Sequence, residues 1–432
     1  MKNAGSTVLI DVDALRIGMF VHLDLGWMSH PFPLSSFRIA SQEQIGIIRS
    51  LGLKKLRWSP EQSALAEAEE RAAASVTEPA AQPAPELAAP APDMAQTAAL
   101  RERREALAAQ RAALALCERQ FAEASGECSQ LSELVLGQPD AARDKAHALS
   151  RTMVDKMVGD GELCIRLLTE AAGDKAAAHA LNVTLISLLM GRSFGLRETD
   201  LLDLGIGALL HDMGKLELPA RARHREDRFT AAESKHYEEH VAHGVALALK
   251  MGLTPGATLV IAQHHEHADG SGFPLKLGHE RMTPAASIVA LVNRYDNLCN
   301  PQNGASALTP HEALSLLFAQ GKSRYDTAIL GGFIKMMGVY PPGSVVQLTD
   351  DRFAIVVGVN STRPLKPRVR VHDPREPAGD APAIDLEHTP RLGIRRSIRP
   401  QALPRDAYTH LAPRQRVAYF FEPEAVAHEV RA

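Results

Sequence analysis

The chain has 432 residues, 45% of them apolar and 23% charged, with a formal net charge of −3. Such a length exceeds one ordinary domain and divides into about two to four, while the charge balance excludes a global electrostatic draw toward DNA, RNA or an anionic membrane. Cys117, Cys128, Cys164 and Cys299 lack C-x-x-C spacing, Asp11 and Asp13 interrupt the N-terminal apolar run, and no run of about 18 apolar residues occurs, so a cytoplasmic protein with reduced thiols, no signal peptide and no membrane span is expected.

Residues 1–64 read as a small α+β domain. Apolar and polar positions alternate from Val8 to Leu23, followed by a turn-rich stretch with Trp27, Pro31 and Pro33. Ser41 with Gln44 three residues later is a capping-box signature that opens a helix, Gly52 closes it, and Leu53–Trp58 reads as a strand. No catalytic constellation is visible there. Residues 65–98 are rich in Ala, Glu and Pro, including Pro79, Pro83, Pro85, Pro90 and Pro92, and read as a linker that cannot build a core.

Residues 99–149 form a helical connector whose pattern begins at Met94. Leu100, Leu107, Leu114 and Phe121 recur every seven residues, but the second seam is mostly Arg and Gln. One edge of a helix packed on the next domain is therefore favoured over a coiled coil, with a homodimer the alternative use of the same stripe. Gly126 and Gly137-Gln138-Pro139 are expected to divide this region into shorter helices.

Nearly every segment of residues 150–337 reads as helix. Thr230 and Glu233 make a capping box, Gly252 follows the last residue of that helix, and Thr254-Pro255 suit the cap and first position of the next. Residues 338–432 change to a β-rich module: Val345–Leu348 and Phe353–Val359 flank a polar turn at Asp350-Asp351, and Arg368–Val371 alternates arginine with valine. Arg391, Arg395, Arg396 and Arg399 read as a solvated surface. The expected fold is multidomain: an all-α core between a small α+β N-terminal domain and a small β-rich C-terminal module.

Nine of the eighteen histidines lie between His179 and His267. Hydrolysing a phosphodiester near neutral pH calls for an activated water and a cation against the non-bridging oxygens, which paired metals supply. Asp212 has two oxygens and can serve two cations, while the adjacent His211, read as lying beside it on the same helix and turned from it by about 100°, can serve one. His179, His240, His264 and His265 stand on neighbouring helical segments that can face the same centre, the donor set that borderline divalent cations prefer. His224, His236, His243 and His267 read as ordinary hydrogen-bonded imidazoles.

His179, His211-Asp212 within His-Asp-x-Gly-Lys, His240 with Gly244, and His264-His265-Glu266 followed by Asp269-Gly270-Ser271-Gly272-Phe273-Pro274 stand in the order and near the spacing of the HD-GYP family, which this region resembles. That family is the cyclic-di-GMP phosphodiesterase branch of the HD metal-dependent phosphohydrolases. The Gly18-Met19-Phe20-Val21 region is similar to a small domain often placed before HD-GYP domains. The resemblance implies an HD-type helical fold and a metal centre in which Asp212 bridges two divalent cations, iron or manganese before magnesium. His240, His264 and His265 would complete one site, with His179 and His211 contributing to the other. It also implies that Asp212 and Lys215 are catalytic, Lys215 lying near the phosphate, and that Asp269, Gly270, Gly272 and Phe273 shape the loop against a cyclic dinucleotide.

Several positions depart from the family. Asn293 stands where a final metal-binding aspartate is usual and would ligate without charge. Lys175 replaces a glutamate that some members carry, which argues against a third metal. Phe273 keeps an aromatic face but loses the tyrosine hydroxyl, and Asn300-Pro301-Gln302-Asn303 lacks the usual Arg-Pro clamp. The expected function is hydrolysis of cyclic di-GMP to pGpG or GMP by metal-activated hydroxide. One alternative is a cyclic-dinucleotide-binding or signalling module with weak or no catalysis, acting through protein partners. Another is an HD phosphohydrolase for a different phosphate ester.

Overall fold

The computed structural model describes residues 7–23, 36–50, 53–63, 94–157, 162–168, 174–223, 229–321, 323–360, 363–375 and 383–423. The Trp27–Pro33 turn stretch, Gly52, the linker from 65 to 93 and His224 lie outside them. The chain forms two compact units, Met1–Thr97 and Ala98–Ala432.

In the first unit four antiparallel strands, β1 (Val8–Asp11), β2 (Phe20–His22), β3 (Ser36–Arg38) and β4 (Lys55–Ser59), stand in the order β1-β4-β2-β3. Helix α1 (Gln42–Ser50) covers them. The alternation read from Val8 onward places Val12, Met19, Val21 and Leu23 in one core with Ile45 and Ile48 of the helix. The Ser41 hydroxyl accepts from the Gln44 backbone at 3.3 Å, and the Gln44 side chain reaches past Ser41 to accept from Ala40 at 2.7 Å.

A 44-residue helix, α2 (Met94–Gly137), leads into the second unit and runs unbroken through Gly126. A single interior glycine costs only about 1 kcal/mol relative to alanine, and Phe121, Ala124, Cys128, Leu131 and Val135, all buried, hold the helix on both sides of it. The break falls at Gln138, before α3 (Pro139–Met157). In the following region, where nearly every segment reads as helix, the exception is β5 (Leu163–Leu167), a strand whose five residues are all buried. Burial on both faces removes the alternation by which a strand is recognised.

The helical core comprises α4 (Lys175–Ser193), α5 (Glu198–Leu210), α6 (Ala231–Met251), α7 (Pro255–Gln263), α8 (Pro284–Cys299), α9 (Pro310–Gln320) and α10 (Thr327–Met337). The expected caps are present. Thr230 and Glu233 exchange side-chain and backbone bonds, Gly252 ends α6 at φ 67°, and the Thr254 hydroxyl accepts from Ala257 with Pro255 at the first position of α7. Buried Leu181, Leu185, Leu204, Val260, Ile261 and Leu291 fill the space between helices. No helix among the described residues is long and apolar enough to cross a membrane.

The C-terminal strands are β6 (Val345–Leu348), β7 (Phe353–Asn360), β8 (Arg368–Val371), β9 (Ala383–Asp385), β10 (Ile394–Ile398) and β11 (Tyr419–Pro423), with α11 (Arg405–Leu411) before the last. They join β5 in an antiparallel sheet ordered β10-β6-β7-β5-β11, with β8 also on β7 and β9 on β8. Since β5 leads toward α4, this sheet is continuous with the helical core rather than appended to it. Tyr419 on β11 is buried with its hydroxyl 3.2 Å from that of Tyr295 on α8.

Candidate metal centre

The His-Asp pair sits at a helix end rather than within a helix. His211 is the C-terminal cap of α5, and Asp212 leaves helical geometry at φ −98° and ψ 4°, ahead of a 3-10 turn, Met213–Glu217. That turn lies directly on α6. A Cβ on Gly214 would stand 1.9 Å from the His240 carbonyl oxygen and 2.4 Å from the Gly244 nitrogen, so only glycine allows this backbone approach. The His-Asp-x-Gly-Lys spacing thus brings Asp212 against the turn of α6 that carries His240.

Three imidazoles are oriented by the same device. The Nδ1 of His211 donates to the Ala208 carbonyl at 2.7 Å, that of His240 to Tyr237 at 2.5 Å, and that of His264 to Ile261 at 2.7 Å, each three residues back along its own helix. A proton held on Nδ1 leaves Nε2 as a lone pair, the tautomer a metal ligand needs. For His179, in the second turn of α4, the orienting acceptor is the Asp296 Oδ2 at 2.6 Å.

The lone pairs converge. The Nε2 atoms of His179 and His211 are 3.2 Å apart, and those of His240 and His264 are 3.3 Å apart. Asp212 Oδ2 is 3.4 Å from His211 and 3.6 Å from His179, whereas Oδ1 is 3.7 Å from both His240 and His264. Two groups therefore have ligand atoms all within 4.8 Å of one another: His179, His211 and Asp212, and Asp212, His240, His264 and His265. Asp212 belongs to both.

Electrostatics prepare the set for a cation. Burial pushes the His240 pKa down to about 4, against the attraction of Asp212, and burial with neighbouring imidazoles holds His264 and His265 well below the ordinary histidine value. Burial alone would raise the Asp212 carboxyl, but Lys215 and then His211 outweigh it and keep the group well below the carboxylate range. The Lys215 ammonium, 2.6 Å from Asp212 Oδ2, is held above its ordinary value by that carboxylate in spite of burial. Asp212 Oδ1 and His265 Nε2 are buried with no hydrogen-bond partner. Unsatisfied buried acceptors are costly, and a divalent ion satisfies both, so the residues present fit a metal.

Beyond α7 the chain turns back over the centre. Phe273 stacks on His265, ring centroids 4.5 Å apart, and its backbone N–H donates to the His265 carbonyl at 3.1 Å. A Cβ on Gly272 would fall 2.4–2.5 Å from backbone atoms of residues 265–267, and Gly270 has φ 74°, so both glycines are required by the turn. Asp269 is exposed, its Oδ1 accepting from the Ser271 backbone at 2.9 Å. Asn293 is 3% exposed and its amide oxygen accepts from Asn297 at 2.6 Å. Lys175 is exposed at the start of α4.

Two supporting residues escaped the sequence reading. Asp296 had no role there, yet it orients His179 and its Oδ1 accepts from Asn182 at 2.8 Å and Asn300 at 2.9 Å. Both asparagines also donate to the Val417 carbonyl, tying the centre to the segment before β11. The spacing of Asn293, Asp296, Asn297 and Asn300, a polar stripe at helical spacing along a helix rich in buried apolar residues, was the available signal. Glu266 was noted only as part of a motif. It is fully buried, and its carboxylate accepts from the backbones of Leu275 at 2.6 Å and Leu277 at 2.9 Å, bracing the return of the loop.

Residues 7–146 match the domain of unknown function DUF3391, and residues 162–329 match the HD domain. The cyclic di-GMP phosphodiesterase PA4108 of Pseudomonas aeruginosa is 27% identical over 376 residues, covering 84% of this chain and 84% of that protein. The 3'3'-cGAMP-specific phosphodiesterase 2 of Vibrio cholerae is 27% identical over 182 residues, covering 41% of this chain and 35% of that protein. Among solved structures, Bd1817, an HDG"Y"P protein from Bdellovibrio bacteriovorus, aligns with a TM-score of 0.41 at 15% identity, over 76% of this chain and 98% of that one.

Proposed function

The chain is an HD-domain protein of the HD-GYP type with a DUF3391 domain ahead of it, and from that premise we propose that it is a metal-dependent phosphodiesterase hydrolysing cyclic di-GMP to pGpG and on to GMP. The observation that carries this reading is the convergence of five imidazoles on the two oxygens of Asp212. His179, His211 and Asp212 would hold one divalent cation, with Asn293 as a neutral further ligand, and Asp212, His240, His264 and His265 the other, iron or manganese being preferred by this nitrogen-rich set. When bound, such cations supply Lewis acidity toward the phosphate oxygens and make water nucleophilic near neutral pH.

The chain's own groups do the rest. Lys215 keeps a fixed positive charge beside Asp212, where negative charge grows as the phosphodiester is attacked. Phe273, held flat against His265, offers an aromatic face to a base, while Gly270 and Gly272 let the backbone of the Asp269 loop come close to a ligand. Cyclic di-GMP is the favoured substrate because the likeness to PA4108 runs over 84% of both chains. The reaction is assigned to the cytoplasm, where cyclic dinucleotides signal.

The test is a substrate panel of cyclic di-GMP, 3'3'-cGAMP and mononucleotides, run with manganese, iron and magnesium on wild type and Asp212→Ala. Turnover of cyclic di-GMP that disappears in the variant is expected, and wild type inert with all three metals would refute the reading. A second reading, cyclic-dinucleotide binding with little turnover, is favoured by one observation: the neutral Asn293 amide oxygen is already engaged by Asn297. It predicts affinity without hydrolysis, and a gain of turnover in Asn293→Asp.

A further inference from the structure

Besides imidazoles, two aromatic rings stand against His265 among the described residues, Phe273 and Tyr237, and only Tyr237 carries a hydroxyl. Tyr237 meets His265 edge-on, with ring centroids 6.2 Å apart. It lies one turn before His240 on α6, in a buried stripe of Tyr237, His240, Val241 and Gly244 whose spacing of three and four residues keeps them on one face. Its carbonyl accepts from His240 Nδ1, and its ring packs against His240 at 4.7 Å and Phe229 at 6.4 Å. The residue is 6% exposed, so the phenol is held within the centre rather than at its rim.

The same stripe receives the 3-10 turn that carries Lys215. Gly214 rests its backbone on His240 and Gly244, so the next residue along the chain is delivered beside Tyr237. Lys215 Nζ is 5.3 Å from the Tyr237 ring centroid, the phenol oxygen accepts a hydrogen bond from it, and Asp212 Oδ2 accepts another at 2.6 Å. Burial disfavours the charged amine, and Asp212 together with Tyr237 outweighs that cost. An ammonium has three N–H donors at the end of a flexible four-carbon stem. With two of them engaged by partners from different elements, the direction of the third is set.

We propose that Tyr237 is a positioning residue for phosphodiester cleavage: its hydroxyl, with Asp212, holds the Lys215 ammonium so that the remaining N–H meets a non-bridging oxygen of the scissile phosphate. The inference rests on the phosphodiesterase reading of this centre. Asp212 cannot fix Lys215 by itself, because it is the one carboxylate that both groups of candidate metal ligands share, and its hold on the amine competes with any cation. The phenol belongs to neither group and keeps its hold when the carboxylate is drawn away. Tyr237 thus serves the centre twice, orienting His240 through its backbone and Lys215 through its side chain, and the two services are separable by removing the hydroxyl alone.

The experiment compares wild type with Tyr237→Phe, which keeps the ring and the carbonyl, in the full chain. Two readouts are taken. In chelated protein, competitive labelling of amines with acetic anhydride, read by mass spectrometry, sets Lys215 against the exposed Lys276; Lys215 is expected to react at least about threefold faster in the variant, since an ammonium with one partner fewer is less protected. In manganese-loaded protein, cyclic di-GMP turnover is expected to show kcat lowered about tenfold or more with KM within about twofold, the mark of an interaction made in the transition state, while metal content and unfolding temperature stay those of wild type. Equal labelling, an unchanged kcat, or a fall in kcat that follows loss of metal overturns the proposal. Were wild type inert with every metal, faster labelling of Lys215 in the variant would still uphold the hold of Tyr237 on the amine and place the failure in the phosphodiesterase reading.

Discussion

Replacing Asp296 by asparagine removes a charge from beneath His179 while keeping shape and volume. In the wild type the two carboxylate oxygens accept from three donors: His179 Nδ1 at 2.6 Å, Asn182 Nδ2 at 2.8 Å and Asn300 Nδ2 at 2.9 Å. An amide offers one acceptor and one N–H₂, so whichever way it turns, a donor faces a donor, either at His179 or at the two asparagines. A hydrogen bond to a charged group contributes about 1.5–3 kcal/mol, and loss of such a partner behind a ligating histidine weakens metal binding by about 10- to 100-fold. Asp296→Asn is therefore expected to weaken the cation held through His179 by that factor, while the cation held by His240, His264 and His265 is retained. Competition with a graded series of chelators, with metal content read by mass spectrometry, measures both. Two cations held as tightly as in wild type, in a folded variant, would show that Asp296 does not position His179.

Other substitutions test the remaining supports. Gly214→Ala puts a methyl group 1.9 Å from the His240 carbonyl oxygen; it should lower stability by at least about 1–3 kcal/mol and loosen both cation sites, as thermal unfolding and metal content would show, and an unchanged melting temperature would contradict the close packing described. Glu266→Gln sets a side-chain NH2 donor against one of the Leu275 and Leu277 N–H groups and leaves that group without its acceptor; a loss of about 1–3 kcal/mol and a raised KM for cyclic dinucleotide are expected, and kinetics identical to wild type would remove the loop from substrate binding. For the metal-free protein the acid limb follows from His240. Its folded pKa, about 4, lies below the unfolded value near 6.5, so the unfolded state binds the proton first and stability falls as pH drops from about 6.5 toward 4. The span corresponds to about 3 kcal/mol, with His264 and His265 acting in the same direction. Chemical denaturation of chelated protein at a series of pH values reads it, and flat stability across that window would refute it.

Local chemistry was legible where it is carried by neighbours in sequence. The Thr230–Glu233 box, the Thr254-Pro255 start and the Gly252 stop all stand in the structure because each needs only a few residues to act. The structure brings the five histidines singled out in the sequence to within 4.8 Å of Asp212 in two groups, and His211, His240 and His264 each orient on a carbonyl three residues back. What was hidden depends on distant partners. β5 shows no alternation because β7 and β11 flank it and both its faces are covered. Asp296 gains meaning only when α4 delivers His179 and Asn182 to it, 117 and 114 residues away. The position of His211-Asp212 just past the end of α5 was misjudged as helical, because the turn is imposed by the approach of Gly214 to α6 rather than by a local breaker.

The central claim is that imidazoles from α4 to α7, with Asp212 between them, form a centre that binds divalent cations for phosphodiester hydrolysis. Its most direct test is the metal content of the purified full chain after loading with manganese or iron, set beside cyclic di-GMP hydrolysis by the same preparation. Two cations per chain, with turnover lost on chelation and restored on reloading, is the result predicted. A wild-type protein that takes up no stoichiometric metal, or hydrolyses cyclic di-GMP equally well without it, would contradict the account.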